Sequence, residues 1–219
     1  MKSTKNLLEQ LKSLAHFNKE AVYQLGVWYG LKNTSVDTYI SRFLKRKDIF
    51  QLKKGLYVST DFYDKNKDDI SYIFSLANIL RAPSYISSLT ALQYYNLTTE
   101  AIHSVTSVTA KVTRGYRTKA GNFTYQSIKK ELFTDFSLAN GKFDFFISSP
   151  AKALFDLLYF RTRQFRGFRQ NDLGRIKKMI EELRIDIDEM NKDEREKFYE
   201  LNKKYFHERS DFINIKKKA

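Results

Sequence analysis

Between Thr34 and Lys45 the chain carries side chains suited to hydrogen-bond recognition: Thr34, Ser35, Thr38, Ser41, Arg42 and Lys45. At about 100° per residue these six gather on one side of a helix, while Val36, Tyr39, Ile40, Phe43 and Leu44 gather on the other. Short hydroxyls near a helix N-terminus can approach base edges, and Arg and Lys further along reach guanine or phosphate. That is the chemistry of a helix lying in the major groove of DNA. A helix that only faced water would favour Glu and Lys pairs instead. Downstream, Lys53-Lys54-Gly55 is a basic turn between Ile49-Phe50-Gln51-Leu52 and Leu56-Tyr57-Val58, two runs that read as short strands. Lys53 and Lys54 flank that turn without an apolar role and suit contact with a DNA backbone.

Other chemistries find little support. Asp144 and Asp156 with Lys152 are the one set of acids and cation that would suit a metal-dependent nuclease. Asp156, however, stands among Leu154, Phe155, Leu157 and Leu158, where a single acid caps or pairs structurally, so no catalytic residue is expected and the chain is read as a non-enzyme. No Gly-x-x-x-x-Gly-Lys-Ser/Thr loop and no Gly-x-Gly-x-x-Gly stretch points to a nucleotide. There is no cysteine, and His16, His103 and His207 are far apart, so neither a metal nor a cofactor is expected.

The elements that must position these residues follow from periodicity. Leu7, Leu8, Leu11, Leu14 and Ala15 make one face of a helix from Thr4 to Ala15. Asn18 can cap a second helix that runs through Leu25 until Gly26 to Gly30 interrupts it, and a third helix ends near Lys47. Three helices and a basic hairpin define residues 1–60 as a winged helix-turn-helix. Residues 61–67 (DFYDKNK) read as a polar connector, and 68–219 as a mixed α/β domain with a helical, basic C-terminal end. Within it the pattern predicts a helix over 68–80, a break at Pro83, a brief strand at Tyr85-Ile86 and a helix capped by Ser87. Strands are predicted over 104–113, 123–128 and 143–148, and helices over 151–160, 171–183 and 193–206. The fold class is α+β.

Charge is unevenly spread along the 219 residues, whose net charge is +14. Residues 1–60 hold 11 basic and 4 acidic side chains, 101–130 hold 6 and 0, and 161–180 hold 7 and 1. Such blocks suit a polyanion, and Arg114, Arg117, Arg161, Arg163 and Arg166 are read as a second basic face. The composition, 42% hydrophobic and 15% aromatic, excludes wholesale disorder. The longest apolar stretches fall short of the roughly 18 to 20 residues that span a bilayer. The first fifteen residues hold no continuous apolar run, so no secretory signal is read and a cytoplasmic location without membrane contact is expected.

The stretch YISSLTALQYYNLT (Tyr85 to Thr98), the strand SVTSVTAK with Arg114 soon after, and ISSPAKALFDLLYF (Ile147 to Phe160), behind a hairpin ending KKGLYV, resemble the AbiEi family over roughly residues 15 to 165. The most specific piece runs from Ser149 to Leu158. These proteins are antitoxins and autoregulators of AbiE-type, type IV toxin–antitoxin systems. The resemblance implies a C-terminal antitoxin-type domain and a chain that represses its own operon through the winged helix. Its partners would be double-stranded promoter DNA with repeated half-sites and a cognate nucleotidyltransferase-like toxin, which need not be held in a stable complex. The competing expectation is a winged-helix regulator without a toxin, whose aromatic-rich residues 85–168 enclose a ligand.

Overall fold

A computed structural model describes residues 2–101, 103–162 and 173–206. The chain is α+β, with helices packed on two sheets. It opens with α1 (Lys2–Lys12), a two-residue β1 (Phe17–Asn18), α2 (Lys19–Trp28) and α3 (Asn33–Lys45). As expected, the Asn18 side chain caps α2, its Oδ1 accepting from the Ala21 N–H at 2.8 Å. Helix α2 continues through Gly26 to Trp28 rather than stopping there. Helix α3 starts from Lys32, which offers no side-chain cap. Val36, Ile40 and Phe43 are buried as the wheel requires, in a core with Leu7, Leu11, Phe17, Val22, Ile49 and Tyr57.

The hairpin forms as β2 (Ile49–Lys53) and β3 (Leu56–Ser59), and β3 also pairs with β1, giving a three-stranded antiparallel sheet in the order β1-β3-β2. Its two faces go to different cores. Ile49 and Tyr57 face the helices above, whereas Leu52, Leu56 and Val58 belong to the larger core of the following residues. The hairpin is therefore a shared wall. Gly55, at φ +79°, makes the turn in a conformation that a side chain would strain.

The expected connector at 61–67 is instead mostly a helix, α4 (Thr60–Asn66), capped by Ser59. Its Phe62 and Tyr63 pack against Tyr72, which a composition reading of DFYDKNK as polar overlooks. Helix α5 (Ile70–Leu80) follows, with Asp69 as its cap. Then come β4 (Tyr85–Ile86), α6 (Ser88–Tyr94), β5 (Val105–Thr109), β6 (Arg114–Thr118), β7 (Gly121–Ser127), a 3-10 turn at Lys130–Leu132, β8 (Phe136–Ala139) and β9 (Phe145–Ser148). The six-stranded sheet runs β6-β7-β5-β4-β9-β8, with β4–β9 and β5–β7 parallel and the other pairs antiparallel. Strands β6 and β8 were not expected from sequence. Both are edge strands, and the polar RGYRT and four-residue FSLA lack the alternation of a half-buried strand.

Helix α5 covers one face of this sheet. Asn78 fastens it to β9, accepting from the Phe146 N–H at 2.6 Å, and its Ala77 carbonyl accepts from the Tyr125 hydroxyl at 2.6 Å. The other face takes α7 (Pro150–Arg161), where a helix was expected over 151–160; Ser149 caps it and Pro150 stands in its first turn. Helices α8 (Leu173–Glu182) and α9 (Lys192–Phe206) complete this layer. Glu194 of α9 accepts from the Ala151 N–H at the start of α7, at 2.8 Å. Among the described residues no helix is long and apolar enough to cross a membrane.

Candidate nucleic-acid interface

Helices α2 and α3 approach closely because Gly26 has no side chain. A Cβ there would lie 2.5 Å from Val36 Cγ2. Polar contacts hold the same pair from the other end of α2: Asp37 of α3 accepts from the Tyr23 hydroxyl at 2.8 Å and pairs with Lys19 at 2.9 Å. Those two donors, Lys19 first, hold the Asp37 carboxyl below its ordinary range. The aspect of α3 that remains open is thus set by packing and by this acid, and not by helix propensity alone.

Of the six residues expected on the open side of α3, Thr34, Thr38, Ser41, Arg42 and Lys45 are exposed and Ser35 is half-buried at the first turn. The Thr38 and Ser41 hydroxyls each donate to the carbonyl four residues earlier, Thr34 O and Asp37 O, both at 3.0 Å. Their oxygens still have lone pairs to offer a base amine, and the donated proton can be redirected at a cost of about one ordinary hydrogen bond. The Arg42 guanidinium lies 5.8 Å from the Tyr39 ring centroid, which steadies a long side chain that among the described residues has no acidic partner. Arg46, in contrast, is engaged by Asp48 and lies over Phe43.

The two lysines at the β2–β3 turn separate into two roles. Lys54 is exposed at the turn. Lys53 is half-buried, and its Nζ donates to the Leu80 carbonyl at the end of α5, at 2.7 Å. That bond anchors the hairpin, so Lys53 carries a structural load that its place beside a glycine turn did not suggest. A cleft of about 400 Å³ opens between this turn and the start of α2, lined by His16, Asn18, Lys53, Lys54 and Gly55 among others. Burial holds the His16 imidazole below its ordinary pKa.

The second basic face is only partly assembled. Arg114 and Arg117 both lie exposed on β6. Three residues apart on a strand, they point to opposite sides of the sheet, Arg114 aligned with Tyr125 and Arg117 with Asn122. Arg161 is exposed in the last turn of α7, on another layer, and Arg163 and Arg166 lie outside the described residues. Sequence reading missed Lys119. In the turn after β6, it is exposed with its Nζ 5.2 Å from the Phe50 ring of β2, and its carbonyl accepts from Tyr63 at 3.5 Å. Edge strand β6 therefore sits beside β2. Nothing in the local composition announces that, because the contact joins residues about seventy apart.

The acids considered for a nuclease are separated by environment. Asp144 is exposed in the β8–β9 turn, whereas Asp156 is wholly buried on α7. Asp156 pairs with the equally buried Lys152 one turn earlier, and it accepts from Ser87 at 2.7 Å and from Tyr85 at 3.0 Å. The Lys152 ammonium lies near the faces of Phe155 and Tyr85, 5.1 and 5.7 Å from their centroids. Burial pushes the Asp156 carboxyl up, and Lys152 and the hydroxyls oppose it. With its lone pairs occupied and no opening to solvent, this network locks α7 onto β4 and the start of α6. Among the described residues no three His, Cys, Asp or Glu side chains come close enough to hold a metal.

No protein-family model matches this chain, and no curated protein matches it.

Proposed function

We propose that residues 1–60 form a winged helix-turn-helix and that the protein is a DNA-binding, non-enzymatic autorepressor. The observation that carries this reading is α3. It presents Thr34, Thr38, Ser41, Arg42 and Lys45 to solvent, and the hairpin that follows exposes Lys54 at its turn. In this reading α3 enters the major groove, Arg42 reads a base, and Lys45 and Lys54 grip phosphates. Lys119, in the turn after β6 and beside β2, extends the contact along the backbone, adding affinity without sequence information.

The resemblance of Tyr85 to Thr98 and Ile147 to Phe160 to the AbiEi family supports a narrower form of the proposal. The chain would be an antitoxin that silences its own toxin–antitoxin operon from the cytoplasm and counteracts a nucleotidyltransferase-like toxin. The described geometry adds to this a reason for the Ser-Pro-x-Lys-Ala-Leu-x-Asp pattern: Ser149 caps α7, and Lys152 and Asp156 form its buried pair. A ligand-sensing regulator is the second reading, and it rests on a cleft of about 300 Å³ beside α5, α6 and β5, bordered by Gln93, His103 and Asn122.

The test is binding of the full chain to the DNA upstream of its own gene, measured against scrambled DNA over a range of salt. Arg42→Ala should lose about 1 to 3 kcal/mol of specific binding while retaining the non-specific component. Equal affinity for both DNAs, or a folded Arg42→Ala protein with unchanged specificity, would overturn the assignment of α3. Co-expression with a neighbouring nucleotidyltransferase-like gene separates the antitoxin from the sensor: rescue of growth supports the first, and no rescue supports the second.

A further inference from the structure

The two edges of the six-stranded sheet are unlike. Strand β6 abuts the wing and is guarded by Arg114 and Arg117. Strand β8 is Phe136-Ser137-Leu138-Ala139, without a charge or a proline. Charged side chains and prolines are the usual guards against edge-to-edge pairing, so β8 leaves an open row of backbone donors and acceptors. Among the described residues no backbone group bonds to its outer side. Beside it, Leu138 and Phe146 face each other across β8 and β9 and are 48% and 42% exposed, an apolar pair that water must otherwise cover.

We propose that β8 is a self-association edge, pairing antiparallel with β8 of a second copy about a two-fold axis perpendicular to the sheet. Such an axis keeps the same face of both sheets on one side only when residues of the same parity are opposed. Opposing Leu138 to its own symmetry mate aligns four apolar side chains in one row, Phe146 and Leu138 from each copy. Directly opposed side chains stand about 5 Å apart and stabilise a pairing that backbone bonds alone would leave weak. The charge distribution favours a second copy over a charged partner. On a chain of net charge +14, residues 129–146 hold Lys129, Lys130 and Lys142 against Glu131, Asp135 and Asp144, so this neighbourhood is neutral. Two copies can meet here without the repulsion that their basic faces would impose elsewhere. Edge β6 lies five strand spacings away, roughly 24 Å, so the surfaces proposed for DNA point outward from such a dimer.

The chain has no cysteine, which makes a direct test available. Leu138→Cys would place two thiols across the axis at a separation that a disulfide accepts. Mild oxidation of the full chain should then give a covalent dimer, while Val112→Cys, at a residue 74% exposed just before β6, should not. Sedimentation equilibrium should show a dimer whose share grows with concentration. Leu138→Lys, which opposes two like charges, should weaken it by at least about tenfold with the circular dichroism spectrum unchanged. A monomer at every concentration, equal cross-linking of the two cysteine variants, or a dimer that Leu138→Lys leaves intact would each overturn the proposal. No DNA enters this assay, so its failure leaves the proposed DNA contact untouched.

Discussion

Replacing Gly26 by alanine sets two effects of opposite sign against each other, and the geometry decides between them. Gly26 lies inside α2, where alanine is favoured over glycine by about 0.8 to 1.0 kcal/mol. The new methyl, however, would sit 2.5 Å from Val36 Cγ2. That is roughly 1 Å inside a comfortable carbon–carbon separation. Val36 is fully buried and β-branched, so it cannot swing aside into another rotamer, and the helices must part instead. Overpacking of this kind costs about 1 to 3 kcal/mol, so after the gain in helix propensity the expected net loss is about 0 to 2 kcal/mol. Urea unfolding of the full chain followed by circular dichroism measures it. Val36→Ala removes the obstructing branch. In the Gly26→Ala background it should cost about 1 kcal/mol or more less than in the wild type, because the two residues are in contact and not additive. A Gly26→Ala protein more stable than the wild type, or single costs that simply add, would refute the claim that this glycine sets the α2–α3 spacing. If α3 binds DNA as proposed, a displaced α3 should also lose specific affinity, which gives an independent reading.

Lys53→Met should lower stability by about 1 to 2 kcal/mol because it removes the donor to the Leu80 carbonyl. Lys54→Gln should leave stability within about 0.5 kcal/mol and reduce the salt slope of DNA binding by roughly one unit; the reverse assignment would show that the hairpin is not seated on α5. Lys152→Met strands a buried carboxylate and should cost about 3 to 5 kcal/mol, with part recovered in Lys152→Met/Asp156→Leu. A loss below about 1 kcal/mol, read from the same urea curves, would mean that Asp156 is already neutral in the folded protein. For His16, whose folded pKa lies below its ordinary value of 6.5, the unfolded chain takes up the proton first. Stability should therefore be fully present above pH 6.5 and fall as the pH drops through the folded pKa, a decline that His16→Gln removes in thermal melts across that window.

Much of the local structure was legible in the residues themselves. The spacing of Val36, Ile40 and Phe43 identified the buried side of α3 and with it the open side. Asn18 marked a helix start because a cap acts within one turn. The turn at Gly55 was visible because a positive φ has few tolerable residues. The expectation that Asp156 would find a partner, as an isolated acid in an apolar run must, is met by Lys152 one turn away.

Other features exist only in three dimensions. That Leu52, Leu56 and Val58 turn to a second core, so that β3 is buried on both faces, depends on what packs behind the hairpin. The tie from Lys53 to Leu80, the placing of Lys119 over Phe50, and the pairing of Tyr85 and Ser87 with Asp156 each join residues twenty-seven to seventy-one positions apart. Edge strands β6 and β8 carry no half-buried pattern, because neither face of these short strands is deeply covered, and sheet order is chosen by the whole assembly. Local periodicity reports which side of an element avoids water. Which other element supplies that shelter, and which basic side chains are used up in holding the layers together, is decided by long-range packing that no window of the sequence contains.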